Sequence, residues 1–329
     1  MSSPAVTSIT STAIETLLDV EAMTAQLRAQ LGSPALALHT ATLVDHKPGN
    51  RAVVRYLGEQ SGRAVAFYAK AYPEQARAAR VHDLMCRLRV VFAAAPDLRV
   101  PEPLGFDPDS AVVVYAPVVG TPLDRLASRP DLSSALGHAA RWLATLHRSR
   151  LRLDRSLDLA HETADASAWA GIVASRLPSA GATAFRLADA LRATRPPLRL
   201  EPPSPIHKDF HYGHVLVGDG VGVVDFDELR LGDPDFDLGH FCANLHLLAM
   251  RTGAPPTERD RWQGLFLGAY SDETGREPDA DFRWFAAYTC VKIAKQVATG
   301  RGPQPRPAGD ARAAQVDLIL REGLAWLAR

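Results

Sequence analysis

The 329-residue chain has only three cysteines, Cys86, Cys242 and Cys290, and they are too scattered to make a zinc-ligand pair or a disulfide framework. It has no surplus of charge. Its 37 basic and 37 acidic residues cancel, so there is no electrostatic footprint for nucleic acid or an anionic membrane. No apolar run reaches the roughly 18–20 residues that a membrane-spanning helix needs, and residues 1–12 lack the charged-then-apolar order of a secretion signal. A Gly-x-Gly-x-x-Gly loop and internal repeats are missing too, and lysine is scarce beside abundant arginine. Together these absences imply a reducing, cytoplasmic setting with neither nucleic acid nor membrane as partner. What is present is ordinary globular material, 47% hydrophobic and 22% charged, enough for real cores. The length suggests about two domains.

Periodicity divides the chain into a β-rich first part and a helical second part. Residues 11–31 read as a helix, with Ile14, Leu17, Leu18, Met23 and Leu27 on its apolar positions. Strand-like runs at 37–45, 53–57 and 63–71 are joined by the short turns Lys47-Pro-Gly-Asn50 and Gln60-Ser-Gly62, a meander by its spacing. A helix over 74–92 and short strands near 105–106 and 112–115 complete this part. Residues 117–122, rich in Pro, Gly and Val, read as a linker. Amphipathic helices follow over 132–148, 166–177, 182–192, 236–250, 259–270, 281–299 and 310–328. The expected class is α+β, with an N-terminal sheet lobe over 1–116 and a helical lobe over 117–329. A loop over 300–309 is expected to be mobile.

The densest chemistry lies in His207-Lys-Asp209-Phe-His211-Tyr-Gly213-His214, followed by Val223-Val-Asp225-Phe-Asp227. Residues 215–217 and 221–224 alternate like two strands, with Gly218-Asp219-Gly220 as a tight turn between them. Asp209 therefore sits in a short loop and Asp225 at a strand end, sixteen residues later. Phosphoryl transfer needs such a pair, one carboxylate to orient the attacking hydroxyl and one to hold the metal that bridges the phosphates. Each also has a plainer reading as a turn-forming loop acid. Asp227 is either a further metal ligand or a solvated loop acid. Asp233 and Asp237, at the start of the next helix, suit a helix cap and a brace for the catalytic loop. Lys70, alone in an apolar strand (Phe67-Tyr-Ala-Lys-Ala71), is unusual there unless paired. Glu74 and Asp83 are the acids that the following helix offers it, and Asp83 is the better placed.

The order His207-x-Asp209-x-x-x-x-His214, then Asp225-Phe-Asp227, then Gly232-Asp-Pro-Asp-Phe-Asp-Leu238, resembles the aminoglycoside phosphotransferase family of small-molecule kinases over about residues 40–300. That resemblance implies a bilobal, protein-kinase-like fold. It implies transfer of the γ-phosphate of ATP or GTP, with Mg²⁺, to a hydroxyl of a small molecule such as an aminoglycoside, macrolide, sugar or aminosugar. Carried over by position, it makes Asp209 the catalytic base, Asp225 the principal metal ligand and Lys70 the lysine on the phosphates. The family usually has asparagine where this chain has His214. An imidazole can ligate a metal, although Mg²⁺ prefers oxygen, and macrolide phosphotransferases carry a pair similar to Gly213-His214. Lys47-Pro-Gly-Asn-Arg51, with Arg55-Tyr56, resembles the first hairpin of the maltokinase-like and glucosamine-kinase-like branch. Lys47 and Arg51 there either cover the nucleotide phosphates or form a solvated basic hairpin. The hinge is expected around Tyr115 and Pro117, whose backbone would read the adenine edge.

Two rival functions fit parts of the pattern. His207, Asp209, His211 and His214 would suit a zinc-dependent hydrolase, but that reading leaves Lys70, Asp225 and the Gly-Asp-Pro block without a role. A nucleotide-binding pseudokinase would rest on His214 and on the missing glutamate partner of Lys70.

Overall fold

The computed structural model describes residues 11–127, 131–196, 203–300 and 308–329. Residues 197–202, in the proline-rich approach to the catalytic loop, lie outside the described residues, as does most of the loop expected over 300–309. The chain forms two compact units. Among the described residues, a sheet unit holds 11–119 together with 222–227, and a helical unit holds those of 120–221 and 228–329.

In the sheet unit, α1 (Ser11–Leu18) and α2 (Val20–Leu31) replace the single expected helix. Asp19 makes the break. Its backbone is extended and its carboxylate accepts the N–H groups of Glu21 and Ala22, so it caps a new helix rather than continuing the old one. Gly32 closes α2 in the left-handed region, at φ 58°. The meander follows as β1 (Leu36–Lys47), β2 (Arg51–Gln60) and β3 (Arg63–Ala71). After α3 (Gln75–Val91) and the short β4 (Leu98–Arg99) come β5 (Pro103–Asp107) and β6 (Val112–Tyr115). The five-stranded antiparallel sheet has the order β1-β2-β3-β6-β5. In its register Lys70 faces Val53 on one side and Val113 on the other, so the lysine stands in the middle of the sheet. Met23, Leu27, Leu36, Val54, Tyr56, Phe67 and Val114 fill the core between this sheet and α2.

The helical unit begins with β7 (Thr121–Pro122) and one 3₁₀ turn, then α4 (Leu132–Arg148), α5 (Leu159–Arg176) and α6 (Pro178–Ala193). The loop bearing Asp209 lies between β8 (Ser204–Ile206) and β9 (Val215–Gly218). Gly220, at φ 92°, opens the return strand β10 (Gly220–Val223), within which the chain leaves this unit. On re-entry β11 (Arg230–Gly232) pairs antiparallel with β8, Arg230 opposite Ile206. Four helices complete the unit: α7 (Pro234–Thr252), α8 (Pro256–Thr274), α9 (Ala280–Ala298) and α10 (Gly309–Ala328). Gly239 sets the approach of α7 to α9. A Cβ there would lie 2.6 Å from the backbone nitrogen of Ala286 and 2.7 Å from the carbonyl oxygen of Phe282, so only glycine lets the two helices come this close.

Candidate active site

In the sheet unit the acids of the Asp225-Phe-Asp227 segment meet the basic residues of the meander. The Lys70 ammonium lies 2.9 Å from Asp225 Oδ1 and 2.6 Å from Asp227 Oδ1. Arg51, the first residue of β2, donates from Nη1 to both oxygens of Asp225, at 3.1 and 2.9 Å, and from Nε to Asp45 at 3.0 Å. Asp227 is almost fully buried and also receives the Tyr72 hydroxyl at 2.8 Å and Arg77 Nη2 at 3.1 Å. Burial first, and Asp227 second, push the Tyr72 phenol far above its usual range, so it stays a donor. Asp225 holds a left-handed backbone, φ 69°, which an L-residue adopts only when its surroundings enforce it.

The expectation that Lys70 pairs with an acid on the following helix is not met. Asp83 is exposed and pairs with Arg87 at 2.9 Å, while Glu74 stands exposed at the start of α3. The helix contributes a cation instead. Arg77 reaches Asp227, which thereby bridges α3 to Lys70. The carboxylate that sequence reasoning sought within a few turns of Lys70 comes from 155 to 157 residues away.

In the helical unit the loop that bears Asp209 is held by the residues beneath it. Phe210 is fully buried against Trp142 and Phe241, with ring centroids at 5.9 and 5.1 Å. The buried carboxylate of Asp237 accepts the backbone N–H of His207 at 2.6 Å and of Lys208 at 2.8 Å, and faces His147 Nε2 at 3.1 Å. Burial alone would raise the Asp237 pKa, but His147 and the His207 N–H reverse this and hold it below its ordinary value. Asp233 caps α7 by accepting the Asp235 N–H at 2.9 Å. Lys208 is left-handed, at φ 66°, and its ammonium lies 2.7 Å from Glu162, a fully buried acid that also accepts the Tyr288 hydroxyl.

Asp209 projects from this braced loop among basic groups. Lys292 Nζ on α9 lies 2.7 Å from its Oδ1, and His240 Nε2 on α7 lies 3.5 Å from the same oxygen. Burial works to raise the Asp209 carboxyl. Lys292, then His240, His211 and His214, overcome it and hold the group well below the usual carboxylate range. His240, buried and beside Lys292, falls to about 4 and is neutral at pH 7.

The two loop histidines present different atoms. His214 Nδ1 sits 2.9 Å from the Asp209 carbonyl oxygen, so Nδ1 carries a proton and Nε2 is the ring nitrogen left to face a metal. His211 Nδ1 accepts the Gly213 N–H at 3.0 Å, which puts the His211 proton on Nε2 as a donor. One ligand atom each from Asp209, His211 and His214 lies within 4.8 Å of the others, but His211 has no lone pair to offer a metal while its Nδ1 accepts the Gly213 N–H. His207 is engaged elsewhere. Its backbone N–H bonds Asp237, and its Nδ1 faces the Asp209 N–H at 3.4 Å.

The remaining expected site residues are spread over the sheet unit. Lys47 is exposed at the hairpin tip, its carbonyl accepting the Asn50 N–H at 2.9 Å, while Arg51 turns inward. Tyr115 ends β6 and stacks on Tyr68 at 5.7 Å. Pro117 lines a pocket of about 460 Å³ with Phe92, Leu98, Glu102, Val118 and Val119, and neither Tyr115 nor Lys70 belongs to that lining.

A divalent cation suits Asp225. It is a hard oxygen donor at a strand end, already held among Lys70 and Arg51, which are the charges that phosphate oxygens would take over. Asp227 fits less directly, because its two oxygens already serve Lys70, Tyr72, Arg77 and Arg51. Lys292, His240, Arg77 and Tyr72 escaped sequence reasoning. The scarcity of lysine was the one usable signal for Lys292.

Comparison with known proteins gives the class. The described residues include no helix long and apolar enough to cross a membrane, and the fold is that of protein-kinase-like phosphotransferases. A structure from Ralstonia eutropha JMP134, assigned as an aminoglycoside phosphotransferase, superposes with TM-score 0.65 at 17% identity, covering 94% of this chain and 98% of that one. Amicoumacin kinase hAmiN, solved with AMP-PNP, Ca²⁺ and Ami, gives 0.59 at 14% identity, covering 95% and 96%. Choline kinase LicA of Streptococcus pneumoniae gives 0.56 at 13% identity, covering 93% and 98%. No curated protein sequence matches the chain. The sequence profile of the phosphotransferase enzyme family matches residues 40–282, and the chain belongs to that family. It is a small-molecule phosphotransferase.

Proposed function

We propose that the protein transfers the γ-phosphate of ATP, or of GTP, to a hydroxyl of an aminoglycoside, macrolide, sugar or aminosugar. The observation that carries this reading is Asp209. Its carboxylate is kept ionised on a loop locked by Asp237 and Phe210, ready to accept a hydrogen bond from an incoming hydroxyl. An acid held this far below its ordinary pKa orients the hydroxyl rather than storing its proton, which suits a loose phosphoryl-transfer transition state. Lys70 and Arg51 take the phosphate oxygens in place of Asp225, and Lys47 lies at the tip of the same hairpin. Backbone groups around Tyr115 and Pro117 read the adenine. Asp225 is the principal Mg²⁺ ligand, and His214 offers a nitrogen ligand from Nε2. Asp227 holds Lys70 and Arg77 in place and adds an oxygen to the ion only by giving up one of them. When bound, Mg²⁺ supplies charge neutralisation at the phosphates. ATP is favoured over GTP by the AMP-PNP bound to the amicoumacin kinase hAmiN, a structural neighbour.

The test is a phosphate-transfer screen with ATP and GTP against aminoglycosides, macrolides, glucosamine and maltose, with Asp209→Ala run in parallel. The reading expects turnover of at least one acceptor. It also expects a loss of about 10²–10⁴-fold in kcat for the variant, with nucleotide affinity nearly unchanged. Turnover that survives in Asp209→Ala, or activity that ignores nucleotide and is lost to a zinc chelator, would refute it.

A further inference from the structure

Five of the 37 basic residues are lysines, at positions 47, 70, 208, 292 and 295. A chain that otherwise prefers arginine has kept a compact, mobile ammonium at Lys292, on the helix that faces Asp209. Lys292 Nζ lies 2.7 Å from Asp209 Oδ1, and that is its ion pair. His240 Nε2 approaches the same oxygen at 3.5 Å and His214 Nδ1 stands 4.0 Å from Oδ2, so Lys292 is the one lysine or arginine paired with the Asp209 carboxylate among the described residues.

The rest of α9 explains why the position is fixed. Ala286, Ala287, Cys290, Val291 and Ala294 are buried around it, and the close approach at Gly239 sets α9 against α7, the helix that carries His240. Lys292 itself is only half-buried and ends on a four-carbon stem, so its ammonium can move a few ångströms while its Cα cannot.

We infer that Lys292 is a further catalytic residue, which passes from Asp209 in the resting site to the transferring phosphoryl group during reaction. This rests on the kinase reading of Asp209. An acceptor hydroxyl that hydrogen-bonds Asp209 takes up the contact now made by Lys292. Its oxygen must then lie ~3–3.5 Å from the γ-phosphorus, within reach of the displaced ammonium. In the step, the acceptor oxygen forms a bond to the γ-phosphorus and the bond from phosphorus to the β–γ bridging oxygen breaks. The hydroxyl proton stays hydrogen-bonded to Asp209 during transfer and is lost to solvent once the new bond has formed, and nucleoside diphosphate leaves. Without a cation at this place, the carboxylate and the phosphoryl oxygens would repel each other along the line of attack.

The experiment compares wild type, Lys292→Met, Lys292→Gln and Lys292→Arg on an acceptor found in the screen, with melting temperature as the folding control. We expect kcat to fall about 100-fold in Lys292→Met and in Lys292→Gln, with KM for nucleotide and acceptor within about threefold, and Lys292→Arg to recover at least a tenth of wild-type kcat. The Met and Gln variants should also lose affinity for MgADP–aluminium fluoride, which mimics the phosphoryl group in flight, but not for ADP. Lys292→Gln can still hydrogen-bond Asp209 and serves if the Met variant does not fold. Near wild-type kcat in Lys292→Gln, or unchanged aluminium fluoride binding, reduces Lys292 to a brace and overturns the proposal while leaving the kinase reading intact. A wild-type enzyme that binds ATP and phosphorylates no acceptor overturns both.

Discussion

Replacing Asp237 by asparagine tests how the catalytic loop is held. The carboxylate takes the His207 N–H at 2.6 Å and His147 Nε2 at 3.1 Å on Oδ2, and the Lys208 N–H at 2.8 Å on Oδ1. Asparagine has one acceptor oxygen. Whichever way the amide is turned, at least one backbone N–H then faces an NH₂ group in a site with no access to water. A hydrogen bond to a buried charge contributes about 1.5–3 kcal/mol, and an unsatisfied buried donor costs about 1–3 kcal/mol. Relief from burying the charge offsets part of this, which leaves a net loss of about 3 kcal/mol. At about 2–4 °C per kcal/mol for a unit of roughly 200 residues, the melting temperature should fall by about 6–12 °C at pH 7. The sign of the pH dependence follows from the depressed Asp237 pKa. Its contribution is present above the ordinary aspartate value, about 3.9, and is lost as pH falls below it, so wild type and variant should converge on acidification. Differential scanning calorimetry at pH 7 and near pH 3.5 measures both effects. A shift under 2 °C at pH 7, or a gap that widens in acid, would show that Asp237 does not brace the loop.

Three further outcomes are expected. Lys208→Gly relieves a left-handed backbone, a gain of about 1–2 kcal/mol, but leaves the buried Glu162 carboxylate with Arg230, at 3.9 Å, as its charge partner, a loss of about 3 kcal/mol; urea denaturation should show net destabilisation. Gly239→Ala forces a Cβ to within 2.7 Å of two backbone atoms of α9, so stability should drop by several kcal/mol and kcat should fall through displaced Lys292 and His240, read by denaturation and turnover together. Calorimetric titration of Mg²⁺ should show weak binding to the free protein and tight binding with ATP, because Asp225 is released only when phosphate oxygens take over Arg51 and Lys70; equal affinity in both cases would sink that account.

Local pattern was enough to place the meander, the helices of the second part and the loop–hairpin order around Asp209 and Asp225, because strand alternation, turn residues and motif spacing act over a few residues. The helix expected over 11–31 was split because Asp19 uses its side chain as a cap, a local signal outweighed by an otherwise continuous apolar stripe. The β8–β11 pair was missed because its three-residue strands, 24 or more positions apart, have no pattern of their own.

The sequence by itself determined the family, the two compositional halves and the acids proposed to do the chemistry, since those reside in residue types at fixed short spacing. Only the tertiary structure decided what those acids face. Lys70 finds Asp225 and Asp227 rather than an acid on the next helix, and Lys292 reaches Asp209 across 83 positions of chain. Electrostatic partnership depends on distance in space and on exclusion of water, and neither is written in the order of residues along the chain.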